Sequence, residues 1–106
     1  MSIEYKIFNK ITNIINKSPN GLLMDLLESI LYEYNKKYYK KIIDLCVSDK
    51  ITKYIKMNYI EIICKWDKIK IKVRIKDLEK MKKINNDYVI ISFIDDTIKD
   101  LRSEII

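Results

Sequence analysis

The apolar positions at the start of the chain recur with a helical period. Ile7, Phe8, Ile11, Ile14 and Ile15 share one stripe with Lys6, Lys10 and Lys17 off it, which predicts an amphipathic helix over residues 3–17. Ser18-Pro19-Asn20-Gly21 ends that run. Leu23, Leu26, Leu27, Ile30, Leu31 and Tyr34 then form a broad apolar face on a second helix from about Leu22, with Asp25 and Glu28 near its positive end. From Tyr38 to Val47 the pattern fits a helix or a buried strand. The crowding of β-branched and aromatic residues, and the turn residues Ser48-Asp49-Lys50, favour the strand, with a short extended piece over 51–56.

The second half carries the stronger β signal. Ile69-Lys70-Ile71-Lys72-Val73-Arg74-Ile75 alternates without a break, and the run Ile60 to Trp66 ends two residues before it. A hairpin turning at Asp67-Lys68 sets Trp66 opposite Ile69 and Glu61 opposite Arg74. Ile60, Ile62, Cys64, Trp66, Ile69, Ile71, Val73 and Ile75 then share the inner face, which makes Trp66 a core residue. Glu61, Ile63, Lys65, Lys70, Lys72 and Arg74 share a basic outer face, on which Ile63 is the misfit. Asp77 to Ile84 reads as a short helix closed by Asn85-Asn86-Asp87. Tyr88-Val89-Ile90-Ile91-Ser92-Phe93 reads as a strand buried on both faces, and a last helix starts near Asp95 or Asp96, where helix capping is the simplest role for the acidic pair.

Composition narrows the classes of function. With 106 residues there is room for one domain, read here as 1–106, in which residues 1–18 hold the N-terminal amphipathic helix and 21–106 the core. Lys and Arg number 21 against 15 Asp and Glu, so the formal charge of +6 favours polyanionic partners, nucleic acid first. Ile, Lys, Asn and Tyr abound while Ala, Gln and His are absent, the bias of an AT-rich genome such as those of certain archaea, low-GC bacteria and viruses. Lysine is also what such a genome supplies for any solvated face. One glycine rules out a phosphate-binding glycine loop, and the lack of histidine rules out histidine-based catalysis. Cys46 and Cys64 have no zinc-site spacing and read as free thiols in a reducing compartment. No targeting or membrane-spanning segment is visible, so a cytoplasmic protein is expected, in the host cytoplasm if the chain is viral.

Four short words give the chain a family likeness. Gly21-Leu22-Leu23-Met24-Asp25, Lys40-Lys41-Ile42-Ile43-Asp44-Leu45, Ile62-Ile63-Cys64-Lys65-Trp66 and Lys76-Asp77-Leu78-Glu79 followed by Tyr88-Val89-Ile90-Ile91-Ser92 together resemble the restriction-endonuclease-like, or PD-(D/E)xK, superfamily. The likeness is to the nuclease-like C-terminal domain of archaeal ATPases, and it covers residues 21 to about 102. It implies an α/β fold with a mixed sheet, in the order helix, helix, strands, hairpin, helix, strand, helix. Carried over by position, the resemblance makes Asp44 the first metal ligand, Lys65 the catalytic lysine and Asp25 the helix acid. The family's glutamate has no counterpart, since Ile63 stands in its place. In the family, strand carboxylates hold Mg²⁺ or Mn²⁺ against the scissile phosphate while the lysine activates water. Glu61 is the substitute metal ligand, but it lies two residues away, an offset of about 7 Å at ~3.3 Å per residue.

These expectations converge on a nucleic-acid-binding protein with a degenerate nuclease-like site, binding through Lys68, Lys70, Lys72 and Arg74 on the hairpin face. The alternatives are an active Mg²⁺-dependent nuclease using Asp44, Lys65 and Glu61 or Asp25, and a small viral or mobile-element product that inhibits a host complex. Tyr32, Tyr34, Tyr38 and Tyr39, or Phe8 at the edge of the first helix, would supply a protein-facing or homodimer surface.

Overall fold

The computed structural model describes residues 3–17, 21–33 and 35–105. Within these spans the side chains of 3–4, 23, 30–33 and 35–36 are not described, so the expected helix stop at Ser18-Pro19-Asn20, the expected apolar-face positions Leu23, Ile30, Leu31 and Tyr34, and the expected open Tyr32 lie outside the described set. Six helices account for the fold: α1 (Ile3–Lys17), α2 (Gly21–Glu33), α3 (Asn35–Val47), α4 (Lys53–Lys65), α5 (Ile71–Ile84) and α6 (Tyr88–Ser103). There is no strand among the described residues, so the expected α/β mixed sheet is overturned.

Every segment read as a strand is a helix because its apolar residues also satisfy the helical period. In α4 the buried set is Ile55, Tyr59, Ile60, Ile62 and Ile63, a stripe with spacings of three to four and their neighbours. In α5 the alternating word is only half used. Ile71, Ile75, Leu78 and Met81 turn inward, whereas Val73 is exposed and Arg74 takes an inward place. The apolar run of residues 88–93 is the beginning of α6, whose buried line is Ile90, Ile94, Thr97, Ile98 and Leu101. Asp87 caps it, its Oδ1 accepting from Val89 N at 2.8 Å, so Asp95 and Asp96 lie in mid-helix instead of at the cap.

Helices α3, α4, α6 and α5 pack in a closed ring, each against the next, while α2 lies on α3 and α1 lies on α2. The ring interior holds Ile42 and Cys46 from α3, the α4 stripe, Leu78 and Met81 from α5, and the α6 line. Tyr38 and Phe8 tie α1 to the ring by stacking at 4.5 Å between ring centroids, and Tyr59 Oη donates to Asn16 Oδ1 at 2.7 Å. Phe8, Tyr38 and Tyr39 are therefore buried and do not form the open surface expected of them. Trp66 is buried as expected, meeting Tyr39 edge-on at 5.3 Å. No described helix is long and apolar enough to cross a membrane.

Candidate nucleic-acid interface

The nuclease-like word does not form a site. Ile62 to Lys65 is the last turn of α4 and Trp66 its C-cap. Ile63 is 0% exposed, so the position assigned to a missing glutamate is a core position that wants an apolar side chain. Asp44 lies on the outer face of α3, paired with Lys40 one turn earlier at 3.1 Å. Lys65 lies at the end of α4, with Nζ 3.9 Å from Glu28. The two expected catalytic residues thus line different recesses.

Three of the expected residues do meet, though not around Asp44. Asp25 from α2 and Glu61 and Lys65 from α4 share a polar recess of about 370 Å³, completed by Glu28 and Asn58. Glu28 was the missed member. Reading Ile60 to Trp66 as a helix would have put Glu61 and Lys65 one turn apart, but the α2 carboxylates reach them only through tertiary packing. Among the described residues no three carboxylates or thiols are placed to hold a metal ion.

The expected basic row is divided by the helix. Lys68 and Lys70 lie in the α4–α5 connection, Lys72 is exposed on α5, and Arg74 is buried against the end of α4. Two residues apart point to one side of a strand but about 200° apart on a helix, which is why Lys72 and Arg74 separate. The row that does form is Lys72, Lys76, Lys80 and Lys83, spaced by four, four and three, all exposed. At roughly 100° per residue these four fall within about 80° of one another and extend about 16 Å along the axis. The other charges of α5 are engaged with neighbouring helices: Lys82 with Asp95 at 2.8 Å and Glu79 with Arg102 at 2.7 Å on α6, Arg74 with the end of α4, and Asp77 with Tyr39 of α3. None of the four row lysines has an ion-pair partner among the described residues.

α3 packs against α5 and carries exposed Lys37, Lys40 and Lys41, of which Lys40 shares a recess with Lys80. Between the two helices runs a groove of about 220 Å³ with Lys40 and Lys80 at its sides. Its carboxylates are engaged, Asp44 by Lys40 and Asp77 by the hydroxyl of Tyr39, which donates to Oδ2 at 2.8 Å. Burial, then the bond to Asp77, pushes the Tyr39 phenol well above its ordinary range, which keeps it a donor. Burial likewise pushes both thiols up, with Asp100 and Glu104 adding to the effect at Cys64, so neither cysteine is an activated nucleophile. No protein-family model, curated protein or solved structure matches the chain.

Proposed function

We propose that this chain is a small helical nucleic-acid-binding protein that contacts phosphates through the lysine face of α5 and the adjoining lysines of α3. The observation that carries the reading is the alignment of Lys72, Lys76, Lys80 and Lys83 on one exposed face with no ion-pair partner among the described residues. Lysines without an internal counter-ion among the described residues, beside the paired Lys82 and Arg102, leave a local positive field that a ligand can offset. The net charge of +6 works in the same direction.

A duplex carries one negative charge per about 1.7 Å, so about 16 Å of helix faces more phosphates than it has lysines. Four phosphates neutralised by this row correspond to a slope of log K against log salt of about −3.6 on duplex and about −2.8 on single strands. The test is a salt titration of binding by wild type and by the Lys72→Gln, Lys76→Gln, Lys80→Gln, Lys83→Gln variant. The variant should lose most of that slope and keep its helical content. An unchanged slope would move the contact surface elsewhere.

A protein partner is the second reading, favoured by a different surface. Met57 of α4 and Tyr88, Val89 and Phe93 of α6 line an apolar recess of about 270 Å³, and Tyr88 is 81% exposed. Association there would respond weakly to salt and would be lost on Tyr88→Ser.

A further inference from the structure

We infer that the α3–α5 groove seats an unpaired base, so that the preferred ligand is single-stranded nucleic acid; this rests on the reading of the α3 and α5 faces as the phosphate-binding surface. The groove is lined by Ile43, Val47, Met81 and Ile84, with Lys40 and Lys80 beside them. An apolar slot bordered by Lys80 of the unpaired row, with the Lys40–Asp44 pair on its other side, suits a flat apolar face carried on a phosphate chain. Ile84 is 60% exposed, so this wall is open to a ligand and is not sealed by the fold.

Carboxylates in a phosphate-binding groove oppose an anion: Asp44 is offset by Lys40, but the hydroxyl bonded to Asp77 is neutral, so the lysine row beside it must offset that carboxylate. Asp44 is held by Lys40 and Asp77 by the Tyr39 hydroxyl. What remains to meet a ligand is the aliphatic wall and the row of lysines. A duplex keeps its base faces inside the stack and can use only the lysines. A single strand uses both, an apolar base face buried against the wall adding to the charge contribution.

Charge alone and the groove predict opposite preferences. Duplex has the denser phosphates, so lysines without a base site favour duplex, whereas a seated base reverses the order. The experiment measures binding of one oligonucleotide, single-stranded and annealed, at about 50 mM and about 200 mM salt. Wild type is compared with the Val47→Thr, Ile84→Asn variant. Both substitutions leave the charge unchanged at positions that are half-buried and exposed, and a thermal melt checks that the variant is folded.

Wild type should bind the single strand roughly tenfold tighter, the equivalent of about 60 Å² of apolar base surface buried against the aliphatic wall. The variant should lose that preference while its duplex affinity stays within about twofold of wild type. Duplex bound as tightly as single strand by wild type, or a preference that survives in the variant, would overturn the groove assignment and leave the lysine-face reading standing. No shift of either form at about 50 mM salt would overturn both.

Discussion

Arg74 of α5 donates from Nη1 to the backbone carbonyl of Cys64 at 2.7 Å and to that of Ile63 at 3.1 Å, closing the C-terminus of α4 from a neighbouring helix. The last carbonyls of a helix have no donor within it, and its C-terminal end carries partial negative charge, so a buried guanidinium serves on both counts. Arg74 is 4% exposed and its Nε is buried without a partner, a cost the two bonds must outweigh.

Removing that side chain orphans the Cys64 carbonyl, leaves that of Ile63 with Trp66 N alone at 3.2 Å, and opens a void. Arg74→Ala should destabilise by about 3 kcal/mol, a fall in melting temperature of roughly 12 °C or more. Arg74→Met fills the void and relieves the buried Nε, so its cost should be near 1 kcal/mol. Thermal melts followed by circular dichroism decide the matter. An Ala variant melting within about 3 °C of wild type would show that α4 does not depend on this cap.

Ile63→Glu distinguishes the helical fold from the sheet that the nuclease-like words imply. On the open face of a strand the substitution would be tolerated. At a side chain with 0% exposure it puts a carboxylate among Tyr59, Ile60 and their neighbours in the ring core, where the described basic group close by, Arg74, is already committed to the carbonyls of Ile63 and Cys64. The expected cost is about 4 kcal/mol or more, enough to unfold a domain of marginal stability. A variant that remains folded with a cooperative melt near that of wild type would refute the placement of Ile63.

The first two helices were legible because their apolar residues satisfy one period only. Phe8, Ile11, Ile15 and Leu27 have no period-2 partners, and the expected starts at residue 3 and near Leu22 agree with Ile3 and Gly21. From Ile60 onward the isoleucines satisfy both periods, and propensity misled. Ile and Val cost a helix at most a few tenths of a kcal/mol each, whereas burying one is worth about 1.5–3 kcal/mol. Packing against α6 therefore decides what α5 becomes, and the word Ile69 to Ile75 carries no record of α6. The lysine row was hidden by the same error, since its spacing of four, four and three has meaning only on a helix.

The cap of α6 offers a smaller test of the same boundary. Asp87 accepts from Val89 N at 2.8 Å in an extended conformation at the first turn. Asp87→Ala should cost about 1 kcal/mol, while Asp95→Ala and Asp96→Ala at exposed mid-helix positions should cost no more than about 0.5 kcal/mol. Urea midpoints measured at one salt concentration rank the three. Equal costs would place the start of the helix elsewhere.

Stability should be flat around neutral pH and fall on the alkaline side. With no histidine in the chain, the usual titration between pH 5 and 8 is missing. Burial raises Tyr39, Tyr59, Cys46 and Cys64 above their ordinary values, so in the folded chain all four hold their protons to higher pH than in the unfolded chain. The unfolded chain releases its thiol protons from about pH 8.5 and its phenol protons from about pH 10. Above those values it binds fewer protons than the folded chain, and stability falls with pH by up to about 1.4 kcal/mol per pH unit for each such group. Below about pH 8 the contribution is fully present. Tyr39→Phe should cost about 1 kcal/mol at neutral pH through the lost bond to Asp77, then decline less steeply than wild type above about pH 10. Urea denaturation from about pH 6 to 11 reads both effects, and a midpoint constant to the alkaline end would mean that these four groups are open to solvent.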